Sequence, residues 1–203
     1  MSVATIVSQS TPSGFSAIGV IRLSGNKATK IAAKLSNKKS VLKHRKATLR
    51  PVFIKKRLVD EAVFTAFLSP HSYTGEDVVE ISCHCSSFIQ NSIIQLLLKL
   101  NCRLAKPGEF TMKAFLNGKM DLSEAESVAD LISSNSQSSH KIAMNQMRGG
   151  FRNDINMLRE RLLNFASLIE LELDFSQEDV EFANTSELKN ILDCLLYTSP
   201  SPR

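Results

Sequence analysis

The chain has 203 residues, 43% of them hydrophobic, enough for one ordinary core or two small ones. Its longest apolar run, IIQLLLKL at 93–100, is too short to cross a bilayer, and the N-terminus lacks the basic-then-apolar form of a signal peptide, so a soluble cytoplasmic protein is expected. The net charge of +5 hides an asymmetry, because Met1 to Arg57 holds thirteen Lys/Arg and no Asp or Glu, while acidic residues outnumber basic ones in the remainder. Such a block either meets a polyanion or is a solvated face, and both readings are open.

VATIVSQ and GVIRLSG are β-rich and are separated by STPSGFSAI, a Ser/Pro/Gly turn region. NKATKIAAKLS places Ala28, Ile31, Ala32 and Leu35 at helical spacing. ATLRPVFI and LVDEAVFTAFL predict strands, and DVVEISCH predicts a central one, being apolar in part on both faces. SSFIQNSIIQLLLKLN sets Phe88, Ile89, Ile93, Leu96 and Leu97 along one side of a helix, with Ser86 or Ser87 as its cap. CRLA is a short last strand. AKPGEFTMKAFLNGK, with its Pro-Gly break and Asn-Gly stop, joins this region to the C-terminal half of the chain. Residues 1–118 are thus expected to form an α+β domain.

After Lys119 the pattern becomes helical, and an all-helical region is predicted over 119–194. DLSE is a capping box at Asp121 and Glu124, followed by a stripe of Leu122, Ala125, Val128, Ala129 and Ile132. SSNSQSS ends that helix and caps the next. A long amphipathic helix comes after it, with Phe151, Ile155, Leu158, Leu162, Phe165, Ile169 and Leu173 at steps of three and four. Two glycines near its start, Gly149 and Gly150, call for a close backbone contact or a bend. NTSELKNILDCLL begins another helix, which YTSPSPR does not complete. The reading frame is therefore expected to be truncated, with residues 195–203 foreign; a genuine flexible tail is the other reading.

Four cysteines are too few for a disulfide framework in this context, so reduced thiols are expected. Cys83-His84-Cys85 on a strand sends two thiols one way and the imidazole the other. Without a well-spaced second pair this favours small buried thiols over a metal site. No phosphate-cradling loop of the G-x-x-x-x-G-K-[ST] type occurs, and no nucleophile or general base stands out, so no catalytic residue is assigned. Three polar residues at or inside element ends remain: Arg22, Glu80 and Lys119. Arg22 and Glu80 either pair in the interest of the fold or, with Lys119, hold a polar ligand in an apolar cleft.

IGVIRLSG, PHSYTGEDVVEISCH, RLAKPGEFTMKAFLNGKMDLSEAESVADLI, NQMRGGF and LIELELDFSQEDVEF together resemble the N-terminal part of the MnmE (TrmE) family of tRNA-modifying GTPases, over about Thr5 to Phe182. The resemblance implies an aminomethyltransferase-like α/β domain that binds a formyl- or methylene-tetrahydrofolate and forms a homodimer. A helical domain carrying an inserted G domain would come next, with GTP, magnesium and potassium bound in the G domain. It further implies that, with the flavin-dependent partner MnmG (GidA), the whole protein adds a carboxymethylaminomethyl-type group to the C5 atom of the wobble uridine of tRNA. The family's folate contacts fall on Arg22, Glu80 and Lys119. One departure stands out: the family usually has a glycine-rich HGGP or HGSP after the VEI strand, and here the segment is His84-Cys85-Ser86-Ser87, without glycine's freedom for close approach. Two alternatives are a stand-alone folate-dependent one-carbon transferase and a non-enzymatic dimeric RNA-binding scaffold.

Overall fold

A computed structural model describes residues 4–12, 14, 16–36, 41–54 and 57–174, and beyond those 186, 189, 190, 192 and 193. It divides into a first unit, residues 1–125, and a second, residues 126–203.

The first unit is built on a six-stranded sheet of β1 (Ile6–Gln9), β2 (Ser16–Ser24), β3 (Ala47–Ile54), β4 (Arg57–Phe67), β5 (Val78–Cys85) and β6 (Arg103–Leu104), in spatial order β3-β4-β5-β2-β1-β6. The pairings are antiparallel except β1 with β6. β5 is paired on both sides, as its apolar run predicts. Alternation sorts its side chains: Val79, Ile81, Cys83 and Cys85 are buried, while Glu80, Ser82 and His84 face the other way. Helices α1 (Ala28–Leu35) and α2 (Ser87–Lys99) cover the apolar face. Ile31, Leu35, Ile93 and Leu97 join Val7, Ile21, Leu23, Phe64, Val79 and Ile81 in one core. The four positions of α1 predicted to face inward are the four that are buried.

Three local expectations need correction. The turn region after β1 is shorter than its Ser/Pro/Gly content suggests, because Ser16 to Ile18 already pairs with Cys85 and His84 across an irregularity in the register. Sheet pairing overrides turn propensity there. Ser86 holds the N-cap position of α2 in an extended conformation, but its side chain makes no capping bond. The inward face of α2 is Gln90, Ile93 and Leu97, and Phe88 points outward, 72% exposed. Gln90 is buried against Gly19 of β2, where an added Cβ would lie 1.9 Å from its amide nitrogen. That glycine lets a polar side chain take the place of an apolar one. Between β6 and the next helix region, EFTMKAFL forms a helix of its own, α3 (Glu109–Leu116).

The capping box at the start of α4 (Leu122–Ser133) is present: the Glu124 amide donates to Asp121 Oδ1 and the Asp121 amide to Glu124 Oε2, each at 2.8 Å. The α4 stripe is not a buried one, since Leu122 is 57% and Ile132 82% exposed and only Ser127 of that helix is buried. The pattern reports amphipathicity and does not say what covers it.

In the second unit, Ser136 caps α5 (Gln137–Met147), as the Ser/Asn/Gln segment predicts, and the structure adds a capping box with Ser139. Gly149, at φ +75°, makes the turn into α6 (Gly150–Asp174). A Cβ on Gly150 would lie 2.5 Å from the Asn145 amide. Bend and close contact are both realised, one at each glycine. The inward seam of α6 is Leu158, Leu162 and Phe165, with Leu158 and Phe165 buried, whereas Ile155 and Ile169 are about two-fifths exposed. Of the last predicted helix, Ser186, Lys189, Asn190, Leu192 and Asp193 are helical. The rest of it, and the segment 195–203, lie outside the described residues.

Candidate functional site

Arg22 and Glu80 are direct cross-strand partners on the face of β2 and β5 opposite the core. Arg22 Nε and Nη2 both donate to Glu80 Oε1, at 2.9 and 2.8 Å. The two side chains are 29% and 30% exposed, so the pair is reachable from solvent. Its geometry is one-sided. Among the described residues nothing bonds to Glu80 Oε2 or to Arg22 Nη1, so an acceptor oxygen and donor N–H groups of the pair remain unengaged. The guanidinium also lies near two aromatic rings, 5.6 Å from the centroid of Tyr73 and 5.8 Å from that of Phe110, within cation–π range.

Those rings come from two segments that the sequence places far apart. Tyr73 belongs to the connection between β4 and β5, and Phe110 to the first turn of α3. A polar network joins them. Tyr73 Oη meets Thr111 Oγ1 at 2.9 Å. The Lys113 ammonium donates to Glu76 Oε2 at 2.7 Å, an ion pair only 8% and 14% exposed. Ser24 Oγ donates to the same Glu76 oxygen at 2.9 Å and lies 2.7 Å from Thr74 Oγ1. Asn117 Nδ2 donates to the Thr74 carbonyl at 2.6 Å. The start of α3 is held separately. Arg103 donates to both Glu109 oxygens, and the Lys106 amide adds a bond at 2.8 Å. The Arg103 hydrogen bond holds the Glu109 carboxyl at about 2, well below its ordinary range.

Lys119 comes just after the last turn of α3, where its amide donates to the Ala114 carbonyl at 2.8 Å. Its stem packs against Gly75, whose φ of +77° only glycine adopts readily. A Cβ there would stand 3.3 Å from Lys119 Cγ and 3.1 Å from Asn117 Cβ. The ammonium is exposed and, among the described residues, has no hydrogen bond or ion pair. So the structure pairs Arg22 with Glu80 and brings Lys119 to the same loop, with Tyr73 touching Arg22 and Gly75 touching Lys119. The cavities of about 490 and 410 Å³ in this unit contain none of the three.

Tyr73, Phe110, Glu76 and Lys113 were not singled out by the sequence. Lys113 carried a usable signal, being a lone cation inside the apolar run EFTMKAFL. The segment that departs from the glycine-rich pattern is occupied locally. Cys85 Sγ donates to the Gly14 carbonyl at 3.4 Å, and His84 Nδ1 pairs with the buried Asp60 at 2.6 Å. Burial pushes the Cys83 and Cys102 thiols up to about 11. Among the described residues no group of three or more His, Cys, Asp or Glu could hold a metal ion, and no helix is long and apolar enough to cross a membrane.

Fold and site together define a class: an α+β domain with a partly exposed ion pair close to two aromatic rings, followed in sequence by amphipathic helices. The chain belongs to the TrmE/MnmE family, for residues 5–119 match the family model described as GTP-binding protein TrmE N-terminus and residues 122–198 match that of the MnmE helical domain. It is 54% identical over 194 residues to the tRNA modification GTPase MnmE of Flavobacterium psychrophilum, covering 93% of this chain and 42% of that protein. It is 55% identical over 193 residues to its namesake in Christiangramia forsetii, covering 93% and 41%. Against the one in Bacteroides fragilis it is 50% identical over 195 residues, covering 93% and 42%. The chain thus spans about two-fifths of the length of the curated relatives it matches.

Proposed function

We propose that this chain is the folate-binding and dimerising portion of a cytoplasmic tRNA-modifying GTPase. In this reading residues 1–118 form the folate-binding domain and 119–194 begin the helical one. A homodimer, acting with the flavoprotein MnmG (GidA), adds a carboxymethylaminomethyl-type group to C5 of the wobble uridine. GTP, magnesium and potassium belong to a G domain, for which this sequence carries no phosphate loop.

One observation carries the reading: a partly exposed Arg22–Glu80 pair keeps donor N–H groups and an acceptor oxygen unengaged, near two aromatic rings and beside a loop that also seats Lys119. The amino-oxo edge of a reduced pterin offers the complementary acceptor and donors, and charge-assisted bonds of this kind are the strong ones. Lys119, an exposed point charge, suits the anionic tail of a folate. When bound, a tetrahydrofolate derivative supplies the one-carbon unit of the modification. Arg22, Glu80 and Lys119 bind and orient it.

Calorimetric titration with tetrahydrofolate tests this. Arg22→Ala and Lys119→Ala are each expected to weaken binding about tenfold or more, in keeping with loss of a charged hydrogen bond worth about 1.5–3 kcal/mol. Lys119→Ala should leave the melting temperature unchanged. If Arg22→Ala loses stability in proportion to binding, the pair serves the fold instead. Intact dimers that bind no folate would favour a scaffold, and folate turnover without a partner would favour a stand-alone transferase.

A further inference from the structure

The acid-free first 57 residues leave one question that the folate site does not absorb. Three of their lysines, Lys27, Lys30 and Lys34, line a single cavity of about 410 Å³, with Thr5 at the start of β1 and Asn101 in the turn after α2. Among the described residues no carboxylate lines it. Among the described residues none of the three ammonium groups has a hydrogen bond or ion pair. The acidic side chain tied to α1, Asp77, is taken up by Thr29 Oγ1 at 3.4 Å and the Ser69 amide at 3.0 Å.

At its N-terminal end this arrangement works against the helix that carries it, whereas Lys34, in the last turn, suits the dipole. Lys27 stands at the N-cap of α1 without a capping bond, and the first turn has no acidic residue but does contain Lys30. Both cations sit at the positive end of the helix dipole, and Lys30 and Lys34 are like charges four residues apart. Lys27 and Lys30 oppose the element's own stability and, among the described residues, have no compensating partner, which marks a functional surface. The span from Lys27 to Lys34 is about 10 Å of helix. That length suits consecutive phosphates better than one free phosphate.

We infer that the Lys27–Lys30–Lys34 face of α1 is a docking surface for the phosphodiester backbone of RNA. The inference rests on the proposed tRNA partner and locates where this portion of the chain would touch it. Such contacts position the nucleic acid and carry no sequence information.

The test is tRNA binding by the full chain, measured from 50 to 200 mM salt. It compares the unaltered protein, the double variant Lys30→Gln/Lys34→Gln, and the charge-matched Lys43→Gln/Lys46→Gln. The first variant is expected to bind roughly tenfold more weakly at 0.1 M salt. Its log–log salt slope should flatten by about 1.5, at roughly 0.7–0.9 per lost phosphate contact. Its melting temperature should change little, because relief of the Lys30–Lys34 repulsion offsets loss of the favourable Lys34 charge at the end of the helix. Equal losses in the two double variants, or none in the first, would overturn the docking surface while leaving the tRNA partner standing. A loss accompanied by a fall in melting temperature overturns it too. An unaltered chain that binds no tRNA would remove both the surface and the proposed contact of this portion with tRNA.

Discussion

At the scale of single residues, Glu109 shows how one carboxylate ties a local contact to the acid stability of the domain. Its side chain is 5% exposed and accepts from Arg103 and from the Lys106 amide. The ionised form is therefore favoured in the folded state, with the carboxyl held at about 2 against an ordinary 4.5. A depressed carboxylate contributes stability that is complete above the unfolded-state value and disappears as pH falls through the folded one. The window here is about pH 4.5 down to 2. Arg103 is nearly half exposed, so solvent screens the pair and its contribution is expected to be about 1–2 kcal/mol. Glu109→Gln should accordingly lower the melting temperature at pH 7. The gap from the parent should narrow steadily below pH 4.5 and close near pH 2. A gap independent of pH would mean that Glu109 acts through packing and not through its charge. By the same logic of burial, Cys83 and Cys102, with thiols near 11, are expected to resist alkylation at pH 8 in the native state and to react once the chain is unfolded.

Among the elements, α3 is the one that turns a sheet into a site. It is eight residues long, starts from Gly108 at φ +73° without a side-chain cap, and buries Glu109, Lys113 and Ala114. So short a helix is not stable by propensity and must be held by tertiary contacts. Arg103–Glu109 fixes its start, and Lys113–Glu76 clasps its middle to the loop that carries Tyr73. Lys113→Met leaves the largely buried Glu76 without its cation, and is expected to destabilise the domain by about 2–4 kcal/mol, somewhat less than for a fully buried pair. Adding Glu76→Gln should restore much of that loss, because the uncompensated charge is then gone. Urea unfolding of both single variants and the double measures the coupling, and additive effects would show that no clasp exists. This element also marks where the sequence stopped being legible. The α+β class, the six strands, α1 to its individual buried positions, the Asp121–Glu124 capping box and the capping of α5 are set by local periodicity and local chemistry. The contacts of Tyr73 with Arg22 and of Lys113 with Glu76 join segments 51 and 37 residues apart, and no local pattern encodes them. Arg22 and Glu80 were recognisable because each is a charge inside an apolar strand. Their direct opposition required the register of β2 against β5, which depends on the sheet as a whole. Phe88 lies outside for a related reason: helical spacing gives a stripe, and only the sheet beneath α2 decides which edge of that stripe is inside.

For the whole molecule, the two units differ in how much apolar surface they bury. The first encloses a continuous core running through β1, β2, β3, β4 and β5 and both covering helices. In the second, the buried apolar side chains among the described residues are Ala143, Leu158 and Phe165, while Ile132, Ile142, Ile155 and Ile169 stand between 39% and 82% exposed. Burial supplies roughly 25 cal/mol per Å² of apolar surface and must offset about 1–2 kcal/mol of backbone entropy per ordered residue. The first unit meets that requirement within itself, and the second gains far less from each residue it orders. Stability is therefore expected to be uneven along the chain, with the helical unit opening well before the sheet. Hydrogen exchange read by mass spectrometry checks this directly. Peptides from α5 and α6 should exchange roughly 100-fold faster than those from β4 and β5, or more, a difference of about 2.7 kcal/mol in opening free energy by the usual factor of ten per 1.36 kcal/mol. Among the described residues Ala143, Leu158 and Phe165 anchor the slower part of the helical unit, so Phe165→Ala should erase what protection α6 has and leave the sheet peptides untouched. Uniform protection across both units would contradict the burial argument, since it requires the helices to be stabilised by contacts other than these.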